Sequence, residues 1–163
     1  MSPSGIPVYV ASPYGFSLPT RLFYEATLLP ALIAAGADVL DPWSAPFDDL
    51  TVALALPPGP QADIAIRAAN ERHGAYNRQL LDRCGAVFAV LDGTDVDSGT
   101  AAEIGYAAAL GRPVVGWRSD LRQTGETGAM VNLQVEHFVT WSGGSVHRDL
   151  DESVAALGAL LRR

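Results

Sequence analysis

Short apolar segments bounded by glycine or proline alternate along this chain with longer segments whose apolar residues recur at helical spacing. The clearest short segment runs from Gly85 to Gly93, and its unbroken apolar run is typical of a strand buried on both faces of a sheet. Similar segments occupy residues 6–12, 37–43, 112–117 and 137–141. Strands that alternate with helices predict an α/β fold with a mainly parallel five-stranded sheet.

The segments between these strands have the spacing of helices. Helical patterns cover residues 18–36, 61–84, 100–111 and 151–163. Pro30 lies inside the first pattern and predicts a kink or a split, because proline disrupts the hydrogen bonds of a helix interior. Gly74 is a candidate break in the second pattern. The Pro-rich residues 44–60 predict a loop with at most one helical turn.

Composition limits the partners of the chain. Its 163 residues, 48% of them hydrophobic, predict one domain spanning residues 1–163 with its own core. A net charge of -7 without any lysine disfavours nucleic acid, because neutralisation of phosphates supplies most of that affinity. No apolar stretch approaches the roughly 18 residues of a membrane span, and the N-terminal segment lacks the basic region of a signal peptide. We therefore expect a soluble, cytoplasmic protein that binds neither nucleic acid nor membrane.

The sequence lacks the motifs of metal sites and of common cofactors. A single cysteine, Cys84, excludes an internal disulfide and a cysteine-rich metal site, and we interpret it as a buried structural thiol. The histidines His73, His137 and His147 do not have metal-ligand spacing, and we interpret His137 as structural. The usual dinucleotide, triphosphate and serine-hydrolase motifs are also missing. We expect neither a metal nor a cofactor.

Three predicted loops are expected to share one crevice, because ligands of doubly wound sheets bind beyond the carboxyl ends of the strands. These loops follow the first three strands and cover residues 12–17, 41–43 and 92–100. The side chains and the backbone position that we expect to contact a ligand there are Ser12, Tyr14, Phe16, Trp43 and Gly99.

Glu103 lies near the start of a helical segment whose other residues are mostly apolar and are expected to be buried. Amide groups and the dipole at a helix start favour an ionised carboxylate, and an ionised carboxylate beside a pocket suits a nucleophile. The spacing also fits a capping box, in which Glu103 would answer Thr100 three positions earlier. Tyr9 lies within the first apolar segment. Its position is also typical of a structural residue, a buried tyrosine whose hydroxyl makes one hydrogen bond.

Four segments together resemble the nucleoside 2-deoxyribosyltransferase family. They are VYVASPYGFS, LDPW, the long stretch from YNRQLLDRCG to VVGWRSD, and VNLQVE. The resemblance runs from Val8 to about Gly144, and the D-x-G-T-x-x-E-I-G-Y-A block is its most specific part. It implies a flavodoxin-like three-layer sandwich. It also implies exchange of the base of a 2′-deoxynucleoside for a free nucleobase through a covalent deoxyribosyl-enzyme.

The resemblance also implies roles for individual residues. Glu103 matches the nucleophile, and Asp97, six positions before it, matches the acid that helps to hold the 5′ end of the sugar. Tyr9 matches a tyrosine that contacts the nucleophile. Asn77 corresponds to the family residue that contacts the base. Many members have Asp at this position, so the resemblance does not identify the group that protonates the leaving base in this chain.

The same resemblance implies a homo-oligomer that is at least a dimer. Asn132, with Gln134 beside it, matches an asparagine that completes the pocket of a neighbouring subunit.

Two alternatives stay open at this point. A related N-glycosidase would hydrolyse deoxynucleoside 5′-monophosphates, although Asp97 near the 5′ end would repel a phosphate. The first loop has no arginine before Arg21, but Arg21 or Arg118 could still reach a phosphate. The second alternative is a nucleoside-binding module without catalysis, because fold does not decide function.

Overall fold

In the computed structural model, which describes residues 5–162, five strands form one parallel sheet in the order β2-β1-β3-β4-β5. Every neighbouring pair is parallel. This is the flavodoxin-like order, so that the predicted fold class is confirmed. The strands are β1 (Ile6–Ala11), β2 (Ala37–Leu40), β3 (Ala86–Val90), β4 (Val114–Trp117) and β5 (Ser145–His147).

Helices cover both faces of the sheet and complete a three-layer sandwich. They are α1 (Leu18–Phe23), α2 (Leu29–Ala34), α3 (Asp49–Leu54), α4 (Pro60–Arg83), α5 (Ser98–Ala109), α6 (Leu133–Trp141) and α7 (Leu150–Leu161). Successive residues of β1 face opposite layers, as the pleat of a strand requires. Val8 and Val10 pack with Leu28 and Leu157, whereas Tyr9 packs with Ile104 of α5. Within residues 5–162, no helix combines the length and the apolar character that a membrane span needs.

The prediction of a strand over residues 137–141 is wrong, because this segment is the second half of α6. Asn132 caps the helix and accepts a hydrogen bond from the backbone N–H of Gln134 at 3.0 Å. Val135 and Val139, four residues apart, are the buried side chains of α6. A short apolar run with β-branched residues fits a strand and a buried helix equally well. The fifth strand follows at Ser145–His147.

The split expected near Pro30 is confirmed, because a π-helical turn, Tyr24–Leu28, separates α1 from α2 and Pro30 lies in the first turn of α2. The wider turn gives the proline ring room beside the preceding carbonyls. The candidate break at Gly74 is wrong, because α4 continues without interruption to Arg83. The Pro-rich residues 44–60 contain α3, and a short 3-10 turn (Pro42–Ser44) leads into this segment.

Candidate active site

A pocket of about 270 Å³ opens at the carboxyl ends of β1 and β2, beside the start of α5. The order of the sheet reverses between β1 and β3, and such switch points are where doubly wound sheets bind ligands. Its lining comes from the loops after β1, β2 and β3 and from helices α3, α4 and α5. The lining residues are Ser12, Phe16, Pro42, Trp43, Leu50, His73, Asn77, Asp97, Gly99, Thr100 and Glu103.

Glu103 lines this pocket and is held from behind by Tyr9. Tyr9 is fully buried in β1, and its hydroxyl donates a 2.6 Å hydrogen bond to Oε1 of Glu103. Burial, together with the neighbouring carboxylate, holds the pKa of Tyr9 far above its usual range. Tyr9 therefore stays protonated and acts as a permanent donor to Glu103.

The local geometry expected for Glu103 is wrong in two respects. Helix α5 begins at Ser98, so that Glu103 lies in its second turn and not in its first. The N-cap is Asp97, whose Oδ2 accepts a hydrogen bond from the backbone N–H of Thr100 at 3.0 Å. Because Asp97 performs the capping, Glu103 forms no capping box with Thr100 and its carboxyl group is directed to the pocket and to Tyr9.

The expectation that a helix start keeps Glu103 ionised is also wrong. Burial raises the pKa of Glu103 to about 7, while the Tyr9 hydrogen bond lowers it and the nearby charge of Asp97 raises it. Desolvation disfavours a charged carboxylate, and this effect exceeds the stabilisation from one hydrogen bond. At neutral pH both protonation states are therefore populated, and positive charge on a bound ligand would favour the anion.

Phe16 and Trp43 form an aromatic wall in the lining of the pocket. The rings of Phe16 and Trp43 meet edge to face with their centroids 4.7 Å apart, and the Trp43 indole N–H donates to the carbonyl of Ser12 at 3.2 Å. Asp41 holds the loop by accepting from the backbone N–H of Trp43 at 2.9 Å. Gly15 leaves room for this indole, because a Cβ there would lie 2.1 Å from a ring carbon.

Helix α4 contributes the opposite polar wall. The side-chain oxygen of Asn77 is buried and has no hydrogen-bond partner among residues 5–162. His73 lies one helical turn before Asn77, and its Nδ1 lies 2.9 Å from the carbonyl oxygen of Ala69. Sequence reasoning missed His73 as a site residue, although its i, i+4 spacing to Asn77 was a usable signal.

The other lining residues that sequence reasoning missed had weaker signals. Pro42 and Thr100 lie directly beside residues that were singled out, whereas Leu50 belongs to the Pro-rich segment expected to be loop. No set of three or more histidine, cysteine, aspartate or glutamate side chains within residues 5–162 is grouped as a metal site would be.

Three of the predicted binding residues do not line this pocket. The hydroxyl of Tyr14 donates to Oδ2 of Asp92 at 2.7 Å, and its ring packs edge-on against Trp117. Asn132 caps α6, and neither it nor Gln134 contributes to the pocket of its own chain. Their contribution to a neighbouring subunit stays a prediction.

The two arginines considered for a phosphate are held elsewhere. Arg118 is completely buried and donates to the backbone carbonyls of Leu91 and Gly93, so that it is not free to swing towards a ligand. Arg21 pairs with Glu25 at 2.8 Å on the surface of α1. No arginine of the described chain lines the pocket.

Comparison with known proteins adds to this geometry. A family model described as nucleoside 2-deoxyribosyltransferase matches residues 8–141. An uncharacterised protein of Schizosaccharomyces pombe is 35% identical over 82 residues, which cover 48% of this chain. The same match covers 36% of that protein, so the chain spans about a third of the length of this curated relative.

Solved structures share the fold over nearly the whole chain. A conserved protein from Enterococcus faecalis V583 aligns with a TM-score of 0.67 and 23% identity, covering 97% of this chain and 100% of that one. The 2-deoxyribosyltransferase of Bacillus psychrosaccharolyticus aligns with a TM-score of 0.59 and 20% identity, covering 90% and 88%. A CMP N-glycosidase of Clostridium botulinum aligns with a TM-score of 0.56 and 17% identity, covering 95% and 99%.

Proposed function

The chain belongs to the nucleoside 2-deoxyribosyltransferase family, and from this premise we propose that it exchanges the base of a 2′-deoxynucleoside through an ester on Glu103. Members of this family are enzymes that act on N-glycosidic bonds of nucleosides. The observation that carries the proposal is the half-buried carboxyl group of Glu103, which lines the pocket and accepts a hydrogen bond from the Tyr9 hydroxyl.

The first half of the reaction forms the covalent intermediate. The Glu103 carboxylate attacks C1′ while the bond from C1′ to the base breaks, and the bonding electrons leave with the base as it takes up a proton. Positive charge develops on the sugar in the transition state, and an anionic oxygen close to C1′ stabilises it. The Tyr9 hydrogen bond orients the carboxyl group for this attack.

The second half transfers the sugar. A ring nitrogen of the incoming base attacks C1′, the ester bond breaks and Glu103 is released as a carboxylate, while the incoming base gives back the proton that the leaving base took up. Two displacements retain the configuration at C1′, as in retaining glycosidases. A base that packs against Phe16 and Trp43 would cover these rings and exclude water, which favours transfer over hydrolysis.

The remaining residues bind and enclose the substrate. Asp97 accepts a hydrogen bond from the 5′-hydroxyl, and Ser12 and Gly99 line the same pocket. Asn77 contacts the base. We place Asn132 and Gln134 at the pocket of a neighbouring copy, so that the active unit is at least a dimer.

A free nucleoside suits this pocket better than a nucleotide. The acids Asp97 and Glu103 line it, and no arginine of the described residues does. A phosphate of charge near -2 would meet like charge without compensation. This observation favours transfer between nucleosides over hydrolysis of a deoxynucleoside 5′-monophosphate.

A chromatographic product assay tests the proposal. Purified protein is incubated with deoxyinosine, with and without adenine, and separately with thymidine plus adenine and with dAMP alone. We expect a new deoxynucleoside only when the acceptor base is present, and no product from the Glu103→Ala variant. Release of base from dAMP without acceptor would assign a nucleotide hydrolase instead. Inactivity with every substrate, together with unchanged nucleoside binding by Glu103→Ala, would indicate a binding module.

A further inference from the structure

We infer that His73 protonates the leaving base, an assignment that rests on the proposed function. Of the side chains that line the pocket in the described chain, Asp97, Glu103 and His73 are the titratable ones. Glu103 has to be an anion when it attacks C1′. Oδ2 of Asp97 accepts from both the backbone N–H and the hydroxyl of Thr100, at 3.0 and 3.4 Å. His73 is therefore the group that is free to deliver a proton.

The hydrogen bond of the His73 ring to its own helix selects which nitrogen faces a ligand. Nδ1 lies 2.9 Å from the carbonyl oxygen of Ala69, and because a carbonyl only accepts, Nδ1 carries a hydrogen. Nε2 makes no hydrogen bond within residues 5–162 and is the nitrogen left for the base. The ring of Phe47 packs edge-on against the imidazole, with centroids 4.8 Å apart, and limits its rotation.

Charges from α3 and α4 surround the same ring. Oδ1 of Asp49 lies 3.9 Å from Nδ1, and it is buried without a hydrogen-bond partner among the described residues. Arg72 approaches the other oxygen of Asp49 at 3.5 Å. Nδ1 therefore has both the Ala69 carbonyl and the Asp49 carboxylate near it, which leaves Nε2 as the nitrogen available to a base.

Asn77 performs a separate task one turn further along α4. An amide does not release a proton near neutral pH, but its buried, unpartnered oxygen accepts an N–H of the base. Residues four apart on a helix are neighbours on one face, so that both side chains reach the same base. His73 supplies the proton and Asn77 fixes the orientation.

The proton balances over the full cycle with a purine. As the bond from C1′ to N9 breaks, the proton of Nε2 moves to N7, and the base leaves as the neutral N7–H tautomer. When N9 of the incoming purine attacks C1′, the proton on its N7 returns to Nε2 while the ester bond to Glu103 breaks. His73 and Glu103 both regain their starting states.

The experiment compares two leaving groups in two histidine variants. 2′-Deoxyguanosine needs a proton at N7, whereas 7-methyl-2′-deoxyguanosine already carries the positive charge and leaves without one. Single-turnover release of base is measured for the wild type, for His73→Gln and for His147→Gln. The last variant is a matched control, because His147 lies on the edge strand β5 and does not line the pocket.

We expect His73→Gln to slow release from 2′-deoxyguanosine about 100-fold or more, the usual contribution of a general acid. Release from the 7-methyl nucleoside should change by less than about tenfold, and His147→Gln should match the wild type with both substrates. An equal loss with both nucleosides, or no loss with either, would overturn the inference while leaving the transferase proposal intact. A wild type inactive on every deoxynucleoside would overturn the proposed function and the inference with it.

Discussion

The hydroxyl of Tyr9 donates a 2.6 Å hydrogen bond to Glu103 across 94 positions of the chain. The pleat of β1 turns Tyr9 towards α5, while its neighbours Val8 and Val10 face the other helical layer. This bond stabilises the ionised form of Glu103 and opposes the effect of burial on its pKa. Together with the charge of Asp97, these two effects determine the fraction of enzyme that is ready to attack.

The acidic limb of the wild-type pH profile for transfer should be centred near pH 7. The raised pKa of Glu103, about 7, leaves a protonated and unreactive carboxyl group in most molecules below that pH. The acidic limb of kcat/KM reports a group of the free enzyme, so a profile measured from pH 5 to pH 8 checks this expectation. A limb centred near 4.5, the usual pKa of a glutamate, would contradict it.

Tyr9→Phe should move this acidic limb to higher pH and lower kcat. Loss of the hydrogen bond removes the one effect that lowers the pKa of Glu103. We expect kcat at pH 7 to fall about 10- to 100-fold, because one hydrogen bond to a charged group contributes roughly 1.5–3 kcal/mol. Tyr106→Phe is the control: it removes a 2.6 Å hydrogen bond to Asp82 on the surface. An equal loss of activity in Tyr106→Phe would show that the loss in Tyr9→Phe does not come from its hydrogen bond to Glu103.

Asp97→Asn and Asp97→Ala should separate the charge of this residue from its capping role. Asparagine still accepts from the backbone N–H of Thr100, so stability should change little, whereas alanine should cost about 1 kcal/mol. Both variants remove the charge that raises the pKa of Glu103, and the acidic limb should move to lower pH. Urea unfolding and pH profiles check the two effects. Equal stability of the two variants would argue against the cap.

Glu103→Gln should be more stable than the wild type at alkaline pH. The pKa of Glu103 is raised from 4.5 to about 7 in the fold, so the folded state holds its proton more tightly than the unfolded state. The free energy of unfolding of the wild type therefore decreases as the pH rises from 4.5 to about 7. The neutral glutamine avoids this loss. We expect an advantage of roughly 1–3 kcal/mol at pH 8, after allowance for partial exposure. Unfolding at pH 4, where the advantage should vanish, is the internal comparison.

Gly15→Ala should weaken substrate binding without unfolding the protein. The added Cβ would lie 2.1 Å from the Trp43 indole and displace the aromatic wall. Overpacking costs about 1–3 kcal/mol of stability, and a shift of Trp43 out of its place in the pocket lining should raise KM. Gly74→Ala is the control, because a Cβ there meets nothing within 4 Å. Unchanged KM in Gly15→Ala would show that Trp43 moves freely or does not touch the substrate.

The sequence was sufficient for most of the fold, because strands and helices differ in local periodicity. The unbroken run around β3 and the apolar segments of β1, β2 and β4 all lie where the alternation predicts them. The sequence pattern misassigned residues 137–141, because a short run with β-branched residues fits both the period of a strand and that of a helix. The cap at Asn132 and the buried positions of α6 decide between them only in the folded chain.

For the site, the sequence by itself identified Glu103 as the candidate nucleophile, because Glu103 and Asp97 belong to one local block with recognisable spacing. Only the tertiary structure decided the chemistry of that acid. Its pKa depends on burial, on Tyr9 from a distant strand and on Asp97, and the pocket that contains His73 depends on how α4 packs beside α5. Local spacing carries no information about desolvation or about contacts between residues far apart in the chain, and these two effects decide the protonation state of a buried carboxyl group.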